Sequence, residues 1–205
     1  MELRLDYFKE NVEHFSQSHF IINGIIHPRN RDVYIDKMVD YFNNLQSVRG
    51  ITLLDYAGNP IYSNLTLTPD YKKHYYLRPV LELGKLLIML SRNNQNFLII
   101  APIKHYDTPI GAVIVEIDLK DMLSRILPSD ESEFYRLFCK DKLLLTHNFQ
   151  DQASYILACD SLLQTKQLPL LKKLGIRLEM GKLQSVHFKP LYTLIKQLII
   201  IGCLF

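Results

Sequence analysis

The stretch from Phe97 to Leu127 constrains the fold more than any other part of the chain. Phe97 to Ile103 is apolar and rich in β-branched residues, which is typical of a buried strand. The segment from His105 to Pro109 supplies turn residues, and Gly111 to Ile117 is a second apolar run. We expect the two runs to pair as an antiparallel hairpin. Asp118 then follows as the predicted N-cap of a short helix.

Glu116 is the charged residue inside the second predicted strand. On a strand it shares one face with Ala112 and Ile114, because side chains alternate between the two faces. A carboxylate in an apolar strand is costly if it is buried without a partner. We therefore expect either that this face is wet or that a cation meets Glu116.

Helical spacing and turn chemistry predict the elements before this hairpin. The first twenty residues have the pattern of an amphipathic helix. A second helix is expected from Val33 to Leu45, with Asn30 or Asp32 as its cap. Gly50 to Tyr62 has the pattern of another hairpin. The apolar residues that define the first helix are Leu5, Phe8, Val12 and Phe15.

The segment from Tyr71 to Leu83 is expected to be a short helix lying over the sheet, and Lys85 to Leu90 a strand. Pro128 to Glu133 is a short polar break and the predicted domain boundary. Beyond it we expect a hairpin (134–139 and 143–147), helices (155–163 and 168–174) and closing strands (176–180 and 184–188). Helices combined with hairpins predict an α+β fold.

Composition excludes several classes of protein. With 48% apolar and 22% charged residues over 205 positions, the chain is globular. Its net charge of +3 is too small for a nucleic-acid surface. The cysteines lack metal-ligand spacing. Cys139 and Cys159 could pair in an oxidising compartment, or remain two free buried thiols.

No enzyme signature is found in the sequence. There is no glycine-rich phosphate loop, no Gly-x-Ser-x-Gly and no His-Glu-x-x-His. His14 and His19 are five residues apart, which misses the spacing of a helical metal pair. We therefore expect no catalysis, no metal and no cofactor, although a catalytic group assembled from distant residues stays an alternative.

A small-molecule pocket is the better candidate for function. Its walls would be aromatic, with hydroxyl tips. Arg78 can make two parallel hydrogen bonds to a carboxylate, and His74 can add a donor. In the alternative interpretation the segment only packs on the sheet and Arg78 faces solvent. The aromatic candidates are Tyr71, Tyr75 and Tyr76.

Two stretches resemble a Cache domain, the extracytoplasmic PAS-like sensor module of bacterial chemoreceptors, sensor kinases and diguanylate cyclases. One is Ile-Ile-Ala-Pro-Ile followed by Pro-Ile-Gly-Ala-Val-Ile-Val-Glu-Ile-Asp-Leu; the other is Asp70 to Gly84. The resemblance covers Asp32 to Leu127, and a second, smaller Cache-like unit extends to about Thr193.

The resemblance implies a long N-terminal helix and two PAS-like units. Residues 1–30 would be the helical segment, 31–128 the membrane-distal ligand-binding unit and 134–193 the membrane-proximal unit. Leu191 to Phe205 is mostly apolar and shorter than a membrane span. It is either a buried C-terminal element or, as the resemblance implies, 194–205 begins a transmembrane helix. The sensor region would then be periplasmic, on the bacterial inner membrane.

The resemblance also bears on ligand and partners. In amino-acid-binding double Cache domains an aspartate at the position matching Glu116 holds the ligand's amine. Glu116 thus implies an amine or amino-acid-like ligand, although it is one methylene longer and the family's Arg-x-Trp-Tyr element lacks its tryptophan here. A homodimer is expected. The alternative is a PAS-like module that binds no ligand and dimerises through the N-terminal helix.

Overall fold

The computed structural model describes residues 2–43, 45–91, 93, 95–125, 133–149, 155–157, 172–183, 189–191 and 193–194. The chain divides into two compact units, Met1–Ile126 and Leu127–Phe205. The finer domain limits expected from the sequence stay predictions. Helices and antiparallel sheets are both present, so the α+β class is confirmed.

An antiparallel sheet of five strands forms the centre of the first unit, in the order β2-β1-β5-β4-β3. Both predicted hairpins are confirmed. Tyr106 and Asp107 turn the chain between β4 and β5 with φ of 48° and 63°, the left-handed conformation of a tight hairpin turn. The strands are β1 (Val48–Asp55), β2 (Pro60–Ser63), β3 (Leu87–Leu90), β4 (Asn96–His105) and β5 (Thr108–Asp118).

Three helices precede the sheet: α1 (Glu2–Ser16), α2 (His19–Ile26) and α3 (Arg31–Asn43). The predicted N-terminal helix is confirmed, and its apolar stripe is buried where α1 packs on β4 and β5. The sequence analysis missed α2. Ser18 interrupts the predicted helix by capping α2, its side chain accepting from the Ile21 amide. Because α3 begins at Arg31, Asp32 lies in its first turn and is not its cap.

The face of the sheet that carries Glu116, here the front face, is covered by the roof segment, Tyr71–Leu83. The single helix predicted there is wrong: Tyr71–Lys73 is one 3-10 turn and α4 covers only Leu77–Leu83. A helix running from Tyr71 would place Pro79 in its interior, where its ring clashes with the preceding turn. Starting at Leu77 puts Pro79 in the first turn, where proline is tolerated.

The core under the roof segment joins both elements to the sheet. The buried residues of this core are Leu54, Leu98, Ile100, Ala112 and Ile114 on the sheet and Tyr71, Tyr76, Leu77, Val80 and Leu81 on the roof segment. Helix α4 ends at Gly84, whose φ of 59° is left-handed, as expected of a glycine at this position.

Beyond β5, α5 (Leu119–Ser124) begins as predicted: the Asp118 side chain accepts from the Asp121 amide at 2.8 Å.

The second unit contains a four-stranded antiparallel sheet in the order β7-β6-β9-β8. The predicted hairpin is confirmed as β6 (Glu133–Cys139) and β7 (Lys142–His147), and the first closing strand as β9 (Ile176–Leu183). The helix predicted from Tyr155 is wrong at its start, because β8 (Tyr155–Leu157) pairs with β9. Residues 158–171 and 184–188, on which other predictions fall, lie outside the described residues.

The predictions about cysteines and the membrane fall mostly beyond the described residues. Cys139 is a free thiol whose sulfur lies 3.7 Å from the Leu174 carbonyl oxygen, whereas Cys159 and Cys203 lie outside the described part. Among the helices that the structure describes, none has the length and apolar character needed to cross a membrane. Of the predicted membrane segment, 195–205 is not described.

Candidate functional site

A cavity of about 320 Å³, here the Glu116 cavity, opens on the front face of the first unit's sheet. It lies between the sheet, the loop after β2 and the start of the roof segment. Four of the six predicted ligand-binding residues line it: Tyr71, His74, Tyr76 and Glu116. The remaining lining residues are Arg49, Leu65, Leu67, Pro69, Ser91, Asn93, Asn96 and Leu98.

Glu116 is buried, with 7% of its surface exposed, and two neutral groups hold it. The Tyr71 hydroxyl donates to Oε1 at 2.8 Å, and the Asn96 side-chain amide donates to Oε2 at 3.0 Å. None of the ion pairs between described residues includes Glu116. The carboxylate therefore has its hydrogen bonds satisfied while its charge has no cationic partner in the part of the chain described.

The sheet fixes the position of Glu116 from both sides. It lies on β5, the central strand, opposite Leu98 of β4 and Gly50 of β1. At Gly50 a Cβ would lie 2.3 Å from Cδ2 of Leu65, so a larger residue at this position would require the Leu65 side chain to move. With no side chain at position 50, the Leu65 side chain lies close to β1 and forms part of the wall of the Glu116 cavity.

Tyr71 links the roof segment to the central strand. Burial, and then the negative charge of Glu116, raise the pKa of Tyr71 well above its usual range. The phenol therefore stays protonated and remains a donor to the carboxylate throughout the neutral range. His74 lies near it and stacks on Tyr76, with the ring centroids 4.9 Å apart and the planes 10° from parallel.

We expect Tyr71→Phe to lower the free energy of unfolding by about 1–2 kcal/mol, since the buried hydrogen bond to a charged group is lost. Because the folded-state pKa of Tyr71 is raised, its contribution is complete below the unfolded value of about 10 and declines at higher pH. Urea unfolding at neutral pH and at about pH 11 would measure both effects. A Tyr75→Phe control, at an exposed tyrosine, should change neither. An unchanged stability in Tyr71→Phe would contradict the role of this hydrogen bond.

The structure does not bring Tyr75 and Arg78, two of the predicted ligand-binding residues, to the Glu116 cavity. Both line a separate depression of about 370 Å³, together with Tyr56, Lys72 and other residues. Tyr75 is 86% exposed, and Arg78 forms an exposed ion pair with Glu82 at 2.9 Å. The reason is the helical period of α4, which turns Leu77, Val80 and Leu81 to the core and leaves Arg78 on the outer side.

Asn96 and Arg49 are among the residues of the Glu116 cavity that the sequence analysis did not identify. The predicted strand starts at Phe97, but β4 begins at Asn96, and alternation along the strand puts Asn96 on the face of Leu98 and Ile100. Extending the predicted strand by one residue towards the N-terminus would have placed Asn96 on this face. No group of three or more potential metal ligands is close together among the described residues.

The sequence matches no protein-family model and no curated protein. Solved structures match the fold. The sensor domain of the Vibrio cholerae histidine kinase DctB is similar over 89% of this chain and 91% of its own, with 13% identity and a TM-score of 0.55. A domain of a protein described as sensory box/GGDEF family, from Vibrio parahaemolyticus, is similar over 74% and 68%, with 15% identity and a TM-score of 0.57. The chain thus has the fold of these sensor domains, as the resemblance implied.

Proposed function

We propose that this chain is the extracytoplasmic small-molecule-sensing region of a bacterial transmembrane receptor. The observation that carries the proposal is the Glu116 cavity, in which a buried carboxylate faces a space large enough for a small ligand. The fold supports it, since the similar structures are named as a histidine kinase sensor domain and a domain of a GGDEF-family protein.

The ligand that suits this cavity carries a cationic amine. The buried carboxylate of Glu116 is held by neutral donors only among the described residues. An ammonium group would form a hydrogen bond between two opposite charges, which the neutral donors now present do not. Aromatic walls formed by Tyr71 and Tyr76 add favourable contacts with a cation.

Ligand binding would act through the roof segment. Tyr71 on that segment and Glu116 on the central strand share a hydrogen bond, so an ammonium group at Glu116 competes with the Tyr71 hydroxyl. A ligand that prefers one position of the roof segment shifts the population towards it. The signal would leave through the chain that follows β5, which continues directly into α5.

The wider assignment follows the sequence analysis. Residues 31–128 would bind the ligand, 134–193 would lie nearer the membrane, and 194–205 would begin the membrane anchor of a homodimer. The receptor's output would be that of a sensor kinase, a diguanylate cyclase or a chemoreceptor. The alternative is a module that binds no ligand and dimerises through α1. The apolar stripe of α1 would then have to face a partner. Its residues are instead at most 5% exposed: Leu5, Phe8, Val12 and Phe15.

A thermal-shift screen of the full 205-residue chain tests the proposal. The probes are primary amines, amino acids and small carboxylates without an amine. We expect stabilisation by members of the first two groups, about 2.7 kcal/mol at one hundred times the dissociation constant. Carboxylates without an amine should give no shift. Stabilisation by those carboxylates alone, or by no member of the panel, would contradict the proposal.

A further inference from the structure

A β-bulge in β1 brings a second charge to the Glu116 cavity. Val48 pairs with Ile117 and Gly50 pairs with Glu116, so two steps along β1 match one step along β5. The extra residue is Arg49. In a regular strand Arg49 would share the face of Ile51 and point away from the cavity, but a bulge re-aims the side chain, and Arg49 lines the Glu116 cavity.

The second charge of the cavity is the guanidinium of Arg49. None of the ion pairs between described residues includes Arg49, although Glu116 lines the same cavity. Arg49 is the only arginine or lysine among the described lining residues. The cavity thus presents a guanidinium and a carboxylate that do not neutralise each other by direct contact.

We propose that Arg49 is a specificity-determining residue that binds an anionic group of the ligand. This rests on the proposed function: the amine would bind to Glu116 and the acidic group to Arg49, so the ligand is dipolar. The guanidinium offers two parallel donors that fit a carboxylate. Arg78, the residue predicted from the sequence for this role, cannot take part in the same contact, because it lies in the other depression and pairs with Glu82.

Matched pairs of ligands test the role of Arg49. L-Alanine, β-alanine and 5-aminopentanoate each differ from their amides only in the acidic group, and the three lengths sample different spacings between amine and acid. Calorimetric titration of the full chain should show at least one acid binding about tenfold or more tightly than its amide, the scale of one charge-assisted hydrogen bond.

Arg49→Gln should reduce that preference to about onefold, chiefly because the acid loses its cationic partner. Arg78→Gln is the matched control, since it makes the same chemical change at another exposed arginine, and it should keep the preference. Because both side chains are exposed, neither variant removes core packing.

The outcomes separate this inference from the proposed function. If amines bind through Glu116 but the acids bind no better than their amides, or Arg49→Gln keeps the preference, the inference alone is overturned. If no probe with an amine binds to the unaltered chain, the proposed function fails and the inference with it. Loss of the preference in Arg49→Gln alone supports the inference.

Discussion

Glu116→Gln is expected to weaken the binding of a cationic amine by about 30-fold or more, because removing one partner of a buried charge pair costs about 2 kcal/mol or more. The substitution keeps the size of the side chain and removes only its charge. The loss should therefore appear as a lower affinity, with little change in the fold. Calorimetric titration with the best amine from the thermal-shift screen measures it directly.

The local hydrogen bonds can adapt to the glutamine. Tyr71 and Asn96 both donate to the carboxylate, and a glutamine accepts at one atom only. The Tyr71 hydroxyl can rotate and accept from the new amide. The side-chain oxygen of Asn96, which is buried and has no hydrogen-bond partner among the described residues, offers a second acceptor. We therefore expect the melting temperature of the unliganded variant to stay within a few degrees of the original, about the shift that 1 kcal/mol produces.

Glu82→Gln is the matched control for this variant. Glu82 carries the same charge, but it is exposed and pairs with Arg78 outside the cavity. Its substitution should leave amine affinity unchanged. Equal affinity of the Glu116→Gln variant and the original chain would show that the amine binds elsewhere.

Phe8→Ala is expected to lower the free energy of unfolding by about 3–5 kcal/mol. Phe8 lies on α1 with 1% of its surface exposed, and the helix packs on β4 and β5. Removing the ring leaves a cavity between the helix and the sheet. Urea unfolding followed by circular dichroism measures the difference.

Tyr7→Ala provides the comparison within the same helix. Tyr7 is 51% exposed, so its truncation should cost much less than that of Phe8. If α1 instead served mainly as a dimer surface, Phe8→Ala would lower the dimerisation affinity and leave the stability of the monomer nearly unchanged. Analytical ultracentrifugation of both variants distinguishes these results.

Much of the first unit could be predicted because its signals are local. The apolar runs on both sides of Tyr106 and Asp107, the N-cap at Asp118 and the stripe along α1 each depend on residues close in sequence. The alternation along β5 also placed Glu116 on the face of Ala112 and Ile114, where the structure has it. The periodicity of the sequence predicts which face a side chain occupies when the strand or helix is regular.

The errors occur where regularity ends. The roof segment is not one helix, because α4 begins only at Leu77. Tyr75 and Arg78 therefore line the separate depression of about 370 Å³ and not the Glu116 cavity. Arg49 enters the cavity through a bulge, and a bulge is defined by the pairing with β5, which the sequence of β1 alone does not contain. The sequence around Tyr155 does not show that it is a strand, because Tyr155 pairs with Leu183 of β9, far along the chain.

Glu116 is held by neutral hydrogen-bond donors, and this affects how easily a ligand could enter the cavity and leave it. A carboxylate in an internal salt bridge must break that bridge before it can bind a ligand, and this slows ligand exchange. Here the groups to be displaced are a phenol and an amide, whose hydrogen bonds are weaker than an ion pair. A cationic ligand at Glu116 would therefore replace these weaker contacts without first breaking an ion pair between described residues.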